Sequence, residues 1–405
     1  MKTRLNSNTF DLPVQELRRG YRSDIYFWRE KIVLEQHNMH PNATTQVFQK
    51  KEAVLCGIDE AIAVLKLGSG RYKDYAKAYK LFDRLMELKQ DGRRHYIGDR
   101  EKYLKVIEEK LEITRALDDL WEDGFGELEI DALFDGDLIH PREPVMHING
   151  DPSLYAHLET IYLGVLARRT KIATNVRNVV KAANGTTILF FPARFDHWAT
   201  QGGDGYAAFI GGASVVSTDA QAEWWGAKGS GTVPHALIAS AGGDTVLAAK
   251  IFNESYPDTD LVALVDFDND CVGTALKCAR EFGDKLWGVR LDTSENMVDK
   301  TIIRQMGDFY PNGVIPELVF DTRAALDAEG FNHVKIVVSG GFNPEKIARF
   351  EALKVPIDAY GVGSCLMQGE NDFTADVVQI NGSRCAKAGR WFKPNARMER
   401  VNIDQ

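Results

Sequence analysis

From about residue 185 onward, short apolar runs alternate with longer amphipathic stretches. Strands are predicted at Thr187 to Phe191, near Ala213 to Val216, at Leu261 to Asp266, Leu286 to Arg290, Val334 to Val338 and Ala359 to Val362. Helical periodicity marks residues 201–210, 219–227, 243–253, 271–282, 317–329 and 343–353 between them. Strands that alternate with helices make a parallel sheet, because each parallel pairing needs a crossover. This many units favour a closed β/α barrel over an open doubly wound sheet. Helix-like Ala156 to Leu163 and a second helix, Lys171 to Ala183, lead into it.

The chain before this region is patterned differently. An extended segment is expected at Gly20 to Phe27, with Asp24 and Tyr26 on one side of it. Thr44 to Val54 reads as a strand, and residues 73–90 and 99–122 read as helices with a charged outer face. Gly124 to Pro144, punctuated by Gly, Pro and Asp, suggests a small sheet. After Leu366, strand pieces at Asp376 to Ile380 and Cys385 to Lys387 would return to the first domain. The expected fold is α/β: an irregular TIM-like β/α barrel at 145–366, with an α+β N-terminal domain at 1–144 completed by the C-terminal segment 367–405.

At 405 residues the chain is longer than one core usually supports, and its 44% hydrophobic and 26% charged content is ordinary for a globular protein. A net charge of −9 with no long basic block argues against nucleic acid as the main partner. The five cysteines form no Cys-x-x-Cys pair, which suits reduced thiols and a cytoplasmic location. Met1 to Phe10 lacks an apolar signal core and no run is long enough to span a bilayer, so neither secretion nor a membrane is expected.

In a parallel barrel the residues that follow each strand converge on one face. Phe191 with Arg194, Ser217 with Thr218, His235, Asp266, Arg290 with Asp292, and two glycine loops all fall there. Ser339-Gly340-Gly341 precedes a helix starting near Pro344, and Gly361-Val362-Gly363-Ser364 follows the next strand. Such loops let backbone N–H groups approach a phosphate, and a helix N-terminus adds a favourable dipole. Arg290 suits a phosphate or carboxylate; Asp292 suits a ribose diol or Mg²⁺, or the two simply neutralise each other. Asp266 could cap the following helix or contact a metal. Phe191 and Arg194 offer a flat apolar face and a cation, which suits an aromatic acid, although Phe191 alone reads as core packing. In Gly231-Thr232-Val233-Pro234-His235 a turn is expected to deliver an imidazole at a strand end. A lone histidine is more often merely a loop residue, and the surrounding stretches are what lift this one.

Together these stretches resemble the nicotinate phosphoribosyltransferase family, among the type II phosphoribosyltransferases, from about Gly20 to Arg390. The resemblance implies that His235 is phosphorylated by ATP and that a pyridine ring stacks on Phe191 beside Arg194, in Phe191-Pro192-Ala193-Arg194-Phe195-Asp196-His197. It implies phosphate contacts at both glycine loops. It also implies that Tyr26, in Ser23-Asp24-Ile25-Tyr26, reaches the neighbouring subunit's site in a homodimer. Val215-Val216-Ser217-Thr218 and Asn175 depart from the family pattern. The implied reaction joins nicotinate to 5-phosphoribosyl-1-pyrophosphate with Mg²⁺ and ATP hydrolysis, in NAD salvage. Where related nicotinamide enzymes carry an aspartate, counting back from His235 gives Ser217, which can donate to a carboxylate; a register two residues later would give Asp219 and favour the amide. Alternatives are nicotinamide phosphoribosyltransferase, quinolinate phosphoribosyltransferase, and a non-catalytic phosphosugar-binding regulator.

Overall fold

The apolar runs after residue 185 form six parallel strands in the computed structural model, which describes residues 3–305 and 307–402. These are β1 (Thr187–Phe190), β2 (Val215–Val216), β3 (Leu261–Leu264), β4 (Leu286–Leu291), β5 (Lys335–Val338) and β6 (Ala359–Val362). They hydrogen-bond in the order β3-β4-β5-β6-β1-β2, and the sheet curls into a half-barrel. Phe190, Ala263, Val289, Ile336 and Tyr360 are fully buried. Burial on both faces is why parallel strands read as continuous apolar runs.

Between the strands lie α1 (Gln201–Gly211), α2 (Asp219–Ala222), α3 (His235–Ser240), α4 (Thr245–Ser255), α5 (Cys271–Phe282), α6 (Pro316–Ala328) and α7 (Pro344–Ala352). Side chains of Asp244, Asp270 and Asn343 accept hydrogen bonds from the third residues of α4, α5 and α7, which fixes where those helices start. The helix expected over 219–227 is only α2 and a 3₁₀ turn, Glu223–Trp225.

Among the described strands β2 and β3 do not pair, so hydrogen bonding does not close the expected barrel. A two-residue β2 offers too little edge for a partner. The connection from β2 to β3 therefore links the two free edges of the sheet, and it carries His235. The strand end expected just before that histidine is absent. Pro234 is an N-cap, and His235 is the first residue of α3.

Residues up to Thr170 and those from Asn371 make one compact unit; Lys171–Glu370 make the other. The first unit contains an antiparallel sheet in the order Ser383–Arg384, Thr374–Ile380, Ala43–Phe48, Pro144–Gly150, Glu129–Ala132, Glu399–Arg400. Ala43–Phe48 lies between Pro144–Gly150 and Thr374–Ile380, so the C-terminal segment completes the α+β domain. Residues 145–170 lie in this unit, and the two helices expected around the boundary are a single helix, Glu159–Ala182. A helical hairpin, Tyr75–His95 and Arg100–Leu120, packs through Leu85, Leu88 and Leu117. No described helix is long and apolar enough to cross a membrane.

Ile25–Gln36 is an α-helix with Asp24 at its N-cap position, not an extended strand. Trp28 and Lys31, three residues apart, face inward, the spacing of a helix face. Tyr26 stands on the first turn, 59% exposed.

Glu159 sits near Asp24 and Glu30 in the first unit, and burial, then the carboxylates of Glu30, Asp376 and Asp24, push its carboxyl up to about 8. Folding therefore favours its protonated form. Its contribution to stability is full at low pH and is lost as pH rises from about 4.5 to about 8. We predict that Glu159→Gln flattens this slope and, above pH 8, raises stability by about 1–3 kcal/mol, a figure discounted for partial solvent screening. Urea unfolding of both proteins at pH 5 and pH 8.5 measures it.

Candidate active site

The C-terminal ends of β1 and β3 to β6 surround a cavity of about 1290 Å³ in the second unit. Phe191, Arg194, Ser217, His235, Arg290 and Asp292 line it, as do Ser339, Gly340, Gly341, Gly361, Gly363 and Ser364. Three expected site residues do not. Tyr26 belongs to the first unit. Thr218 is the N-cap of α2, with its hydroxyl oxygen accepting from Gln221 N. Asp266 is instead bonded to His235, with both carboxylate oxygens 3.1 Å from Nε2.

A carboxylate can only accept, so this geometry puts a proton on His235 Nε2 and leaves Nδ1 with a free lone pair in the neutral ring. Burial pushes the Asp266 carboxyl up, and His235 pulls it back down. The imidazole is half-exposed, whereas the Asp266 side chain is almost covered. Asp266 thus orients the ring.

Arg290 ties the wall together. Its Nε donates to Ser339 Oγ at 2.9 Å, one terminal nitrogen to Thr232 Oγ1 at 3.1 Å and the other to Asp292 Oδ2 at 2.9 Å. Ser339 Oγ in turn donates to Asp292 Oδ1 at 2.7 Å. The Arg–Asp pair is therefore one edge of a ring of charge-assisted bonds and not a self-cancelling surface pair. The guanidinium carbon also lies 5.6 Å from the Phe191 ring centre, within cation–π range.

Arg194 follows β1 in a 3₁₀ turn, Ala193–Phe195, and has no carboxylate partner among the described residues. That leaves its donors available to a ligand. Gly340 and Gly341 have φ of +89° and +66°, the left-handed region that favours glycine, and they deliver the chain into α7 behind Asn343. Lys346 Nζ donates to Gly340 O at 3.2 Å, and burial lowers its pKa.

The sequence reading missed several wall residues. Asn175, which it marked only as a departure, donates to Leu366 O and Gln368 O and so buttresses the turn after Ser364. Thr232, in the loop before His235, holds Arg290 through its hydroxyl, a contact that a threonine beside a glycine does not announce. Glu295 packs so closely on Gly341 that a Cβ there would meet its Oε1 at 1.6 Å. Its only signal was an acidic side chain three residues past Asp292.

No protein-family model matches the chain. It is 30% identical over 258 residues, 62% of its own length, to nicotinate phosphoribosyltransferase pncB1 of Mycobacterium tuberculosis, and covers 52% of that protein. The chain thus spans about half the length of the curated relatives it matches. Among solved structures it is similar to nicotinate-nucleotide pyrophosphorylase from Pyrococcus furiosus, with a TM-score of 0.70 and 28% identity over 98% of this chain and 86% of that one. Human nicotinic acid phosphoribosyltransferase, at 16% identity and a TM-score of 0.58 over 90% of this chain and 75% of that one, shares the fold. With this fold and this ring of strand-end residues, the chain is similar in sequence to curated nicotinate phosphoribosyltransferases over part of their length and shares the fold of solved nicotinate-nucleotide pyrophosphorylase and nicotinic acid phosphoribosyltransferase structures.

Proposed function

We propose that the protein is a nicotinate phosphoribosyltransferase that joins nicotinate to 5-phosphoribosyl-1-pyrophosphate and releases pyrophosphate, driven by ATP through a phosphohistidine at His235. The observation that carries this reading is His235, held by Asp266, in the same cavity wall as the Arg290–Asp292–Ser339 ring and the Gly340–Gly341 loop.

In the reaction the pyridine nitrogen attacks the anomeric carbon: a C–N bond forms, and the C–O bond to pyrophosphate breaks. The nitrogen has no proton to lose, so the site's task is alignment and charge stabilisation. The glycine loop ahead of α7 offers backbone N–H groups to a phosphate. Phe191 offers a ring face to the pyridine and Arg194 a planar donor pair to its carboxylate.

For histidine phosphorylation, the Nδ1 lone pair attacks the terminal phosphorus of ATP; a P–N bond forms and the P–O bond to ADP breaks. Asp266 holds the Nε2 proton and stabilises the positive charge that the ring gains. Later hydrolysis of the phosphohistidine would couple ATP consumption to synthesis of the nucleotide.

No described group of three or more His, Cys, Asp or Glu side chains is arranged to hold a metal. Mg²⁺ nevertheless suits the cavity, because it needs only one or two carboxylates when pyrophosphate oxygens and water complete its shell. Glu295 on the wall could supply one, whereas both oxygens of Asp292 accept from Arg290 and Ser339, and Asp266, the ligand expected from the sequence, is engaged by His235. The ion would offset the charge of the leaving pyrophosphate. A homodimer, with Tyr26 reaching the neighbouring subunit, and a cytoplasmic place in NAD salvage complete the proposal.

Product formation from phosphoribosyl pyrophosphate with nicotinate, nicotinamide or quinolinate, each with and without ATP and Mg²⁺, tests the class; lack of turnover with binding retained would favour a regulator. Two predictions concern the histidine. His235→Ala should abolish ATP hydrolysis and ATP stimulation while some transfer remains, and unchanged stimulation would refute the phosphohistidine. Long-range ¹H–¹⁵N NMR at pH 8 should find the His235 proton on Nε2 in the native protein and a tautomer mixture in Asp266→Asn.

A further inference from the structure

The loop Gly361-Val362-Gly363-Ser364, expected from the sequence to hold a phosphate, has the room beside both of its glycines filled by aromatic rings. A Cβ at Gly361 would fall 2.8 Å from Phe191 Cε2, 2.9 Å from Phe191 Cδ2 and 3.1 Å from Ser339 Cβ, and one at Gly363 would fall 2.9 Å from Phe195 Cε2. Carbon atoms pack best at about 3.5–4.0 Å, so neither ring could keep its place beside an alanine.

The backbone does not call for these glycines. Gly361 lies within β6, paired with Leu189 of β1, and Gly363 has a φ of −117°, outside the left-handed region. The Gly340–Gly341 loop differs, because its turn runs through left-handed φ at both residues. Positions 361 and 363 are two apart at a strand end, so they open to the same side, and the segment leaving β1 lays Phe191 and Phe195 along it. Phe191 N donates to Val362 O at 2.8 Å, which pins that segment to β6. The two rings in turn carry cations of the cavity wall: the Arg290 guanidinium carbon lies 5.6 Å from the Phe191 ring centre, and that of Arg194 lies 5.5 Å from the Phe195 ring centre.

We infer that Gly361 is a positioning residue for the aromatic base and not a contact for phosphate: its missing side chain sets how deep the Phe191 ring lies, and with it the face on which the base stacks. This rests on the proposed transfer to nicotinate. A methyl at 361 would drive the ring about 1 Å to regain ordinary contact, and Arg290, held by Thr232, Ser339 and Asp292, limits how the ring can yield. The phosphate loop ahead of α7 keeps its own turn in either case.

Steady-state kinetics of the full chain with nicotinate, phosphoribosyl pyrophosphate, ATP and Mg²⁺ is the test. Gly361→Ala should raise KM for nicotinate about tenfold, what one good aromatic stack contributes, and leave KM for phosphoribosyl pyrophosphate within about twofold. Calorimetry with inorganic pyrophosphate and Mg²⁺ should find Gly361→Ala unchanged and Gly340→Ala about tenfold weaker, since only Gly340 serves the left-handed turn of the phosphate loop. In the Phe191→Ala background, where no ring remains to be displaced, Gly361→Ala should raise KM for nicotinate no further. General loosening of the sheet would instead lower kcat and add to the Phe191→Ala effect. An unmoved KM for nicotinate, a loss of phosphoribosyl pyrophosphate or pyrophosphate binding as large as the loss of base, or additive effects in the double variant would each overturn the inference. A wild type that turns over no nicotinate would sink the proposed reaction and leave this contact readable without ligand: Gly361→Ala should then lower the melting temperature of the wild type but not of Phe191→Ala, and equal lowering in both would overturn the inference.

Discussion

The site depends on how the Arg290 guanidinium is shared out. A charged group half removed from water must have its donors satisfied, and this one is held on Thr232, Ser339 and Asp292 while its face lies toward Phe191. Those partners come from four separate stretches: the loop before α3, the end of β5, the residue after β4, and the end of β1. A shift in any one leaves a buried charge short of a partner, so the network fixes the wall more firmly than apolar contact would. The segment that carries His235 is anchored on one side through Thr232 and on the other through Asp266, although no strand holds it in the sheet.

The architecture of the second unit was legible because its signals are local. Apolar runs buried on both faces, and Asp or Asn caps at helix starts, are written in consecutive residues, and α5 falls where its periodicity placed it. Closure was not legible, since it depends on whether two edges meet, and a two-residue β2 cannot be read from apolar content. The extended reading of Gly20 to Phe27 failed for a related reason. Asp24 and Tyr26 suggest alternation over a short window, whereas the inward pair Trp28 and Lys31 is spaced for a helix, and a buried lysine is a weak hydrophobic signal.

Most of the cavity wall was legible because a parallel sheet sends every strand end to one face, so residue type and position sufficed for Phe191, Arg290 and both glycine loops. What the sequence withheld was which partner each group chooses. Asp266 looked like a metal ligand and pairs with an imidazole; Thr218 looked like a substrate contact and caps a helix.

The first unit's sheet sets Ala43–Phe48 between Pro144–Gly150 and Thr374–Ile380. During synthesis the ribosome must release the entire second unit before the last of these strands appears. Until then one edge of Ala43–Phe48 has no native partner, and an unpaired edge can recruit other chains. The second unit, with its half-barrel, is continuous in sequence and has no such wait. Chaperone dependence in the living cell should therefore fall on the unit whose strands are made first.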